Sequence, residues 1–310
     1  MGSYNLGNQI IMEAIHDNLA SLFPDTFRIN LSANEKLTKR SFKYINQAEL
    51  SFFGGTNALT SNQNKEKYIN LDFNDVFLKE VNLVLFGVGW WQYQNKPNFY
   101  TKIFLNKLLS KSSLHSVRDS YTQNMLKSID ITNVVNTSCP TVWSLNTEHC
   151  KGIPVERSEN VIFTITDYMK DASKDINFIT ILLRSYKNIF FWPQGIGDVD
   201  YLFSLKMDMK LINMLNPNLS SLDALLRNTQ VDYIGTRLHA GIRALQFKKR
   251  TLILSVDNRA KEICKDINLN VTERNNCNAI NEFISEDSET KISLPLDNIK
   301  SWKEQFIKNE

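Results

Sequence analysis

Short apolar runs alternate with longer amphipathic stretches along the chain. The first amphipathic stretch, residues 9–22, has its apolar side chains at helical spacing. The apolar runs have the length of buried strands, and they lie at residues 48–53, 81–88, 115–117, 131–135, 161–166, 188–192, 233–234 and 251–255. Strands that alternate with helices in this way form parallel sheets covered by helices. The pattern therefore predicts an α/β fold.

A glycine-bearing loop, residues 4–8, directly precedes the first predicted helix. In α/β proteins such a loop usually follows a β-strand. Here the sequence opens on the loop itself, so we expect the preceding strand either upstream of this sequence or not at all.

Polar stretches divide the chain into two predicted Rossmann-like domains. Residues 1–150 form the first domain and residues 158–285 the second, with the polar stretch 149–160 as the linker. An acid-rich stretch then leads to an amphipathic C-terminal helix within residues 297–310. Its apolar side chains share one face, so we expect it to pack back on the first domain.

The composition is that of an ordinary globular protein. Of the 310 residues, 42% are hydrophobic and 22% are charged, which excludes a disordered chain. The net charge of +3 is too small to indicate nucleic-acid binding. No apolar run is long enough to span a bilayer, and the first residues lack the regions of a signal peptide. We therefore expect a cytoplasmic protein, with peripheral contact to the inner face of the membrane left open.

The cysteines do not indicate a metal centre. Four scattered cysteines are typical of free thiols in a reducing compartment. A site made by Cys139, His149 and Cys150 is conceivable, but adjacent His and Cys with one distant Cys match no zinc spacing. We expect no metal and no bound cofactor.

The densest group of reactive side chains lies in the second domain. Arg237 and His239 lie in the first turn of a predicted helix, residues 236–247, where free amide groups and the helix dipole favour an anion. A guanidinium and an imidazole at that position suit a phosphate or a carboxylate. A single histidine is more often a surface or core residue. Arg259 and Lys261, which follow the last predicted strand, bring further cations to the same sheet edge and favour a site.

In the first domain, glycine and polar side chains follow three predicted strands. The segments are Gly54-Gly55-Thr56-Asn57, Gly89-Trp90-Trp91 and Arg118-Asp119. Glycine at a strand end lets a ligand approach the backbone, or merely starts a tight turn. An isolated Arg-Asp pair is more often a solvated ion pair. The rings of Trp90, Trp91, Tyr93 and Tyr100 suit stacking on sugar rings, although core packing explains each of them equally well.

Five motifs, in this order and spacing, resemble those of the polysaccharide pyruvyl transferases. They are Asn5-Leu6-Gly7-Asn8-Gln9-Ile10-Ile11, Gly54-Gly55-Thr56-Asn57, Ser116-Val117-Arg118-Asp119, Gly235-Thr236-Arg237-Leu238-His239-Ala240 and Val256-Asp257-Asn258-Arg259. Each motif alone is weak, but the Arg-Leu-His-Ala block together with the upstream Ser-Val-Arg-Asp is specific. The resemblance covers nearly the whole chain.

The resemblance implies a two-domain fold similar to GT-B glycosyltransferases, with the active site in the cleft that the domains face. It implies phosphoenolpyruvate as the donor and a sugar of a bacterial surface polysaccharide as the acceptor, usually on a lipid carrier. That polysaccharide is a capsule, an exopolysaccharide or a cell-wall polymer. The implied product is a cyclic pyruvate ketal on two hydroxyl groups of the sugar, formed without a metal or a cofactor.

The resemblance also implies which side chains bind the two substrates. The candidates for donor binding are Arg118, Arg237, His239, Arg259, Lys261, Gln194 and Asp198. Of these, His239 and Arg118 are expected to be catalytic, with His239 as the proton source. The candidates for acceptor binding are Asn5, Asn8, Gly55, Thr56, Asn57, Trp90 and Trp91.

The sequence departs from the family pattern at two positions. Asn8 stands where the family typically has Asp, so it cannot act as a base, although its amide is able to hold an acceptor hydroxyl. Arg259 stands where the family typically has Lys, and it keeps the positive charge. Two alternatives stay open, since a fold does not fix its chemistry: a GT-B glycosyltransferase that uses a nucleotide sugar, and a catalytically silent glycan-binding scaffold.

Overall fold

A computed structural model describes residues 5–32, 35–66, 68–78 and 81–307 of the chain. The helices are α1 (Gly7–Leu22), α2 (Lys39–Gln47), α3 (Phe73–Leu78), α4 (Phe99–Leu108), α5 (Ser120–Lys127), α6 (Thr147–Lys151), α7 (Ala172–Ser185), α8 (Asp198–Ser204), α9 (Leu219–Asn228), α10 (Leu238–Gln246), α11 (Asn258–Ile267), α12 (Cys277–Ser285) and α13 (Leu296–Glu304). The strands are β1 (Phe52–Gly54), β2 (Asn57–Leu59), β3 (Val84–Phe86), β4 (Gly89–Trp90), β5 (His115–Val117), β6 (Val134–Asn136), β7 (Asn160–Thr164), β8 (Asn188–Phe191), β9 (Asn213–Met214), β10 (Asp232–Gly235), β11 (Thr251–Ser255) and β12 (Val271–Glu273). In the described part of the chain, no helix has the length and apolar character needed to cross a membrane. Tyr4 of the predicted first loop and residues 308–310 of the predicted last helix lie outside the described residues.

The chain divides into two compact units. The first unit comprises Met12–Pro140 and the residues from Pro295 onward, and the second comprises Thr141–Leu294 and the N-terminal residues through Ile11. The change of unit therefore lies ahead of the linker predicted at 149–160. The reason is that this region bonds to the second unit: Gln246 Nε2 donates to Thr141 O at 2.7 Å, and His149 Nε2 donates to Leu245 O at 2.8 Å.

Parallel strand pairs form the sheet of the first unit. β1 pairs with β3, β2 with β4, and β5 with β6. The N–H of Gly87 donates to Ser116 O and the N–H of Arg118 to Val88 O, so β3 and β5 are neighbours. Residues in the left-handed conformation separate β1 from β2 and β3 from β4. One of them is Gly87, with φ +65°. A Cβ at Gly87 would lie 2.2 Å from Pro140 Cδ, so this turn requires glycine.

Two predictions for the first half are wrong in detail. The strand predicted at 48–53 begins only at Phe52, because Ala48 ends helix α2, where its N–H donates to Tyr44 O. The turn predicted at 89–91 is in part a strand, since Gly89–Trp90 pairs with β2. Strand β5, in contrast, has the predicted bounds.

The C-terminal helix α13 completes an aromatic cluster in the first unit. The ring of Trp302 stacks on that of Phe86 with centroids 4.4 Å apart, and Phe306 meets Phe52 edge-on at 5.3 Å. Trp302 is fully buried. Large aromatic rings contribute much of the free energy of burial, so this helix is part of the core of the first unit.

The second unit contains a six-stranded parallel sheet. Its strand order is β12-β11-β10-β7-β8-β9. Counted along the chain from β7, this order corresponds to the doubly wound Rossmann arrangement, in which the chain starts at the centre and winds outward in both directions. The α/β fold predicted from the sequence is confirmed. The direction of winding changes between β7 and β10, and open α/β sheets bind ligands at the carboxyl ends of the strands at that point.

In the first unit, the side chain of a buried histidine accepts a backbone N–H group of a neighbouring strand. His115 begins β5, and its Nδ1 accepts the N–H of Leu85 in β3 at 3.2 Å. Its Nε2 donates to Ser110 O at 2.9 Å. These two bonds require the neutral ring with its proton on Nε2. Burial is the main cause that lowers the pKa of His115 from 6.5 to about 4.

The His115 side chain is expected to make folding stability depend on pH. The unfolded chain binds a proton at this ring below pH 6.5, whereas the folded protein binds it only near pH 4, so stability is lost as the pH falls through that interval. We expect the free energy of unfolding to drop by about 2 kcal/mol between pH 7 and pH 5 because of this residue. Urea denaturation at the two pH values measures the drop. His115→Gln keeps one acceptor and one donor without titrating, and a drop as large in that variant as in the wild type would contradict the assignment.

Candidate active site

The polar residues predicted from the sequence gather at the carboxyl edge of the second unit's sheet. At the switch point, β7 and β10 approach closely: Thr166 Oγ1 lies 2.7 Å from Thr236 Oγ1. A Cβ at Gly235 would lie 2.4 Å from Thr164 Oγ1, so glycine permits this approach. The loops after β7, β8, β10 and β11 supply the side chains described below.

Arg237 is the N-cap residue of α10, whereas the sequence predicted it within the first turn of this helix. Its guanidinium group is buried. Its Nε donates to Ile165 O at 3.2 Å and to Asp198 Oδ2 at 3.1 Å. Its Nη2 donates to Asp167 Oδ1 at 2.8 Å and also to Asp198 Oδ1. Only Nη1 makes no hydrogen bond to a residue within the described ranges. The predicted contact of Arg237 with a donor anion therefore depends on that one nitrogen.

Asp198 is a positioning residue in this arrangement. It begins α8, is fully buried, and accepts the N–H groups of Gln194, Gly195 and Asp167 at 3.1, 2.8 and 3.1 Å, besides pairing with Arg237. Burial raises the pKa of Asp198, and the charge of Arg237 opposes that rise. The prediction that Asp198 contacts the donor or takes a hydroxyl proton is corrected here, since protein groups surround its carboxylate and fix the loop after β8.

Tyr168 is a member of the group that the sequence analysis missed. Two guanidinium groups lie near its ring, with the Arg237 carbon 5.0 Å and the Arg259 carbon 5.9 Å from the ring centroid. Its hydroxyl bonds with Arg259 Nη2 and lies 3.5 Å from Asp257 Oδ2. Tyr168 and the neighbouring Asp167 come directly after a predicted strand, which is the same signal that singled out Arg237 and Arg259.

Arg259 lies in the first turn of α11. Asp257 caps this helix by accepting the N–H of Arg259 at 3.0 Å, and it also accepts Arg259 Nε at 2.9 Å. The Arg259 side chain remains partly exposed. The sequence predicted a cation at this place, and the structure adds an acidic partner that holds it there.

His239 lies in the first turn of α10, as predicted, with 5% of its surface exposed. Two buried amide oxygens at the same sheet edge, Gln194 Oε1 and Asn258 Oδ1, have no hydrogen-bond partner among the described residues. Buried acceptors are normally hydrogen-bonded, so a hydroxyl or amine group of a ligand, or a water molecule, would donate to these two oxygens. Asn258 is a second residue that the sequence analysis did not single out as a site residue.

The charges of this group do not sum to a positive value. Two guanidinium groups, of Arg237 and Arg259, face three carboxylates, of Asp167, Asp198 and Asp257. Without His239, these five side chains carry one net negative charge. An anion would therefore be held here by directed hydrogen bonds rather than by an excess of positive charge.

Two further predicted residues have partners within the protein. Lys261 pairs with Glu273 of β12 at 2.8 Å, and both side chains are exposed. This partner lies on the edge strand of the sheet, and the role of Lys261 as a donor ligand stays a prediction. Gln194 Nε2 donates to Asn5 Oδ1 at 2.9 Å, and Asn5 Oδ1 also accepts the N–H of Gly7 at 2.9 Å. Asn5, predicted to bind the acceptor, thus holds the start of α1 on the loop after β8. Asn8 is half-buried, and its N–H donates to Asn5 O.

In the first unit, the structure brings Arg118 and Asn57 together. Arg118 Nη2 donates to Asn57 Oδ1, and Arg118 Nε lies 3.4 Å from Asp119 Oδ2. Gly89 packs flat against the guanidinium, since a Cβ there would lie 2.2 Å from Nη2. Gly55 and Thr56 form the left-handed turn that places Asn57. The ion pair is buried, in contrast to the solvated pair that the dipeptide alone would favour.

One predicted acceptor contact is wrong. Trp90 is 1% exposed and its Nε1 donates to Gln94 Oε1 at 3.0 Å, so its ring is core and cannot stack on a sugar. Trp91 is partly exposed and packs on Tyr68 with centroids 4.8 Å apart. Its role stays a prediction.

The described residues contain no group of three or more His, Cys, Asp and Glu side chains able to hold a metal ion. Cys139 and Cys150 are each buried as free thiols. Whether the reaction uses a metal is a separate question, and the expectation of a metal-free reaction stays a prediction.

Comparison with protein families identifies the chain. The family model described as polysaccharide pyruvyl transferase matches residues 5–258, and of the predicted site residues only Arg259 and Lys261 lie outside this range. The chain belongs to the polysaccharide pyruvyl transferase family. The resemblance predicted from five motifs is thereby confirmed, and with it the assignment of the chain to a family of transferases. No curated protein sequence matches it.

Solved structures resemble this pyruvyl transferase family member in fold. S. aureus MnaA, in a co-structure with UDP, is 13% identical with a TM-score of 0.50, covering 87% of this chain and 77% of that chain. The UDP-GlcNAc 2-epimerase of Methanocaldococcus jannaschii, in complex with UDP-GlcNAc and UDP, is 14% identical with a TM-score of 0.48, covering 74% and 69%. At such identities, the similarity to MnaA supports the α/β fold and nothing about the ligand.

Proposed function

We propose that this protein transfers the pyruvyl group of phosphoenolpyruvate to two hydroxyl groups of a sugar in a bacterial surface polysaccharide precursor, and forms a cyclic ketal. Membership of the family supports the reaction class. The observation that supports the choice of donor is that the guanidinium carbons of Arg237 and Arg259 lie 5.0 and 5.9 Å from the Tyr168 ring centroid. His239 lies in the first turn of α10, two residues after Arg237.

The hydrogen-bond donors of this group suit the two anionic ends of phosphoenolpyruvate. Arg237 and Arg259 each keep Nη1 without a hydrogen bond to any part of the chain that the structure describes. The side chain of the N-cap residue Arg237 makes no capping hydrogen bond to α10. The positive end of this helix's dipole favours an anion at its N-terminus. A carboxylate or phosphate would take these donors in charge-assisted hydrogen bonds.

In the proposed mechanism, His239 is the proton source. It protonates the methylene carbon of the donor, which leaves an oxocarbenium-like centre at the adjacent carbon. A sugar hydroxyl adds to this centre and returns a proton to His239. The carbon–oxygen bond to phosphate then breaks and phosphate leaves. A second hydroxyl adds to the same carbon, gives its proton to the released phosphate and closes the ketal. Arg118, Asn57 and Trp91 remain the proposed contacts in the first unit, with Arg118 proposed to stabilise charge.

Calorimetric titration with phosphoenolpyruvate tests the donor. We expect saturable binding by the wild type, and at least about a tenfold weaker affinity for Arg259→Ala, since a hydrogen bond to a charged group contributes about 1.5–3 kcal/mol. Arg259→Lys, which restores the residue typical of the family, is expected to keep most of the affinity. Arg184→Ala, on the exposed face of α7, is the matched control and should bind as the wild type does.

Nucleoside diphosphates and Arg118→Ala extend this titration. Weaker binding by Arg118→Ala, with thermal unfolding unchanged, would support its role at the donor. Preference for a nucleotide over phosphoenolpyruvate would overturn the proposal in favour of a nucleotide-sugar enzyme. Binding of neither compound, with and without an oligosaccharide acceptor, would leave a silent glycan-binding protein as the explanation.

A further inference from the structure

A polar cavity of about 540 Å³ lies within the first unit, in the loop after β4. This volume falls within the usual range for small-molecule sites. The residues that line it are Ser61, Asn62, Tyr93, Gln94, Asn95 and Lys96. Of these residues, only Tyr93 was among the aromatic side chains predicted to stack on sugar rings, and none was a predicted donor ligand.

The loop that forms this cavity is held in place by its own hydrogen bonds. Gln94 Oε1 accepts the N–H of Ser61 at 2.8 Å and Trp90 Nε1 at 3.0 Å, and Gln94 Nε2 donates to Glu66 Oε2 at 2.9 Å. The Tyr121 hydroxyl accepts the N–H of Gln94 at 2.8 Å. The buried end of the loop is therefore fixed before any ligand arrives, which lowers the entropic cost of binding.

The outer side of the cavity offers groups that the protein itself does not use. The Asn95 side-chain amide and the Lys96 ammonium group make no hydrogen bond or ion pair with any residue in the described ranges. Asn62 Oδ1 accepts Asn98 Nδ2 at 3.2 Å, which leaves Asn62 Nδ2 as a donor. The Tyr93 ring is 54% exposed and rests edge-on against Tyr121 at 5.2 Å.

This combination of groups matches one class of ligand. An exposed aromatic face packs against the C–H groups of a sugar ring, and side-chain amides bond with its hydroxyl groups in both directions. The Lys96 ammonium adds a partner for a negative charge. No carboxylate lines the cavity to neutralise Lys96. The ligand that these groups fit is an oligosaccharide that carries a carboxylate or phosphate group.

Hydrogen bonds connect this cavity to Arg118. The N–H of Trp90 donates to Thr122 Oγ1 at 2.9 Å, and Thr122 Oγ1 donates to Asp119 Oδ1 at 2.6 Å. Asp119 in turn pairs with Arg118. The loop that carries the cavity thus begins against Arg118 and ends at Lys96.

We propose that the cavity binds an anionic segment of the acceptor polysaccharide and so selects charged glycans. The proposal rests on the proposed function, because it assigns the bound glycan to the acceptor. The site holds sugar units that do not react and leaves the reacting hydroxyl groups to the catalytic residues. It would lower the KM for a long acceptor without changing the turnover of a short one.

Binding of oligosaccharides in the absence of phosphoenolpyruvate tests the proposal. The probes are oligosaccharides of uronic acids and of sugar phosphates, with neutral oligosaccharides of equal length for comparison. We expect the wild type to prefer the anionic set, Lys96→Gln to lose that preference, and Tyr93→Ala to bind at least about tenfold more weakly. Tyr93→Phe, which keeps the ring face, should bind within about threefold of the wild type. Lys127→Gln, the same change on the exposed end of α5, is the control.

The outcomes separate this proposal from the proposed function. If no anionic oligosaccharide binds, or if Tyr93→Ala and Lys96→Gln bind as the wild type does, the cavity is not a glycan site. If the glycan binds with the expected losses but phosphoenolpyruvate does not, the site stands and the donor assignment fails. If both bind, and the two variants raise the KM for a long acceptor but not for a short one, both proposals hold.

Discussion

Replacing His239 with alanine is expected to lower the rate of pyruvyl transfer at least about a hundredfold. In the proposed mechanism this ring supplies the proton that the methylene carbon gains, and alanine cannot supply it. The fold should persist, because alanine is a better helix former than histidine within α10. Release of inorganic phosphate, measured with phosphoenolpyruvate and an oligosaccharide acceptor, gives the rate, and thermal unfolding checks the fold.

Two comparisons make this result specific. His16→Ala removes a histidine whose Nε2 bonds with Asn30 Oδ1 at 3.1 Å on the surface of α1, and it should leave the rate unchanged. His239→Gln keeps a hydrogen-bond donor but not an acid. If glutamine restored most of the rate, His239 would hold the donor rather than protonate it. A near-normal rate in His239→Ala would remove the residue from the chemistry altogether.

Replacing Asp198 with alanine is expected to destabilise the protein by about 3–5 kcal/mol, because it leaves the buried guanidinium of Arg237 with too few acceptors. The same change frees three backbone N–H groups after β7 and β8. We therefore expect loss of donor binding together with loss of stability, measured by calorimetry and by chemical denaturation.

A neighbouring aspartate supplies the control. Asp200 lies in the same first turn of α8 but is exposed, so Asp200→Ala should change stability by less than about 0.5 kcal/mol. Arg237→Met combined with Asp198→Ala should cost less than the sum of the two single changes, since neither of these two buried groups is then left without the other. Equal effects of Asp198→Ala and Asp200→Ala would show that the ion pair contributes little.

The sequence predicted the second unit better than the first. Strand β11 has the predicted bounds, and β7, β8 and β10 end within two residues of prediction, because buried parallel strands are continuous apolar runs. Helix α2 was missed, since it is polar on nearly all sides and buries only Phe42. A pattern of polar residues with one buried apolar side chain is typical of a helix on the protein surface.

The candidate site was predictable in its loops but not in its contacts. Polar residues after predicted strands indicated the loops that carry Arg237 and Arg259, whose guanidinium groups both lie near the Tyr168 ring. The sequence could not indicate that Arg237 turns inward to Asp198 and Asp167, which lie 39 and 70 residues earlier in the chain, because such pairing depends on how separate loops fold. The burial of Trp90 was likewise beyond prediction, since an aromatic residue after a strand suits a core and a binding surface equally.

The position of α13 has a consequence for synthesis on the ribosome. The strands and helices of the second unit are all translated before α13, whereas the first unit lacks the ring that stacks on Phe86 until Trp302 has been made. Domains that form during translation usually do so from the N-terminus onward. Here the order is expected to be reversed: the nascent second unit completes its core first, and the first unit exposes its aromatic side chains until the end of the chain leaves the exit tunnel.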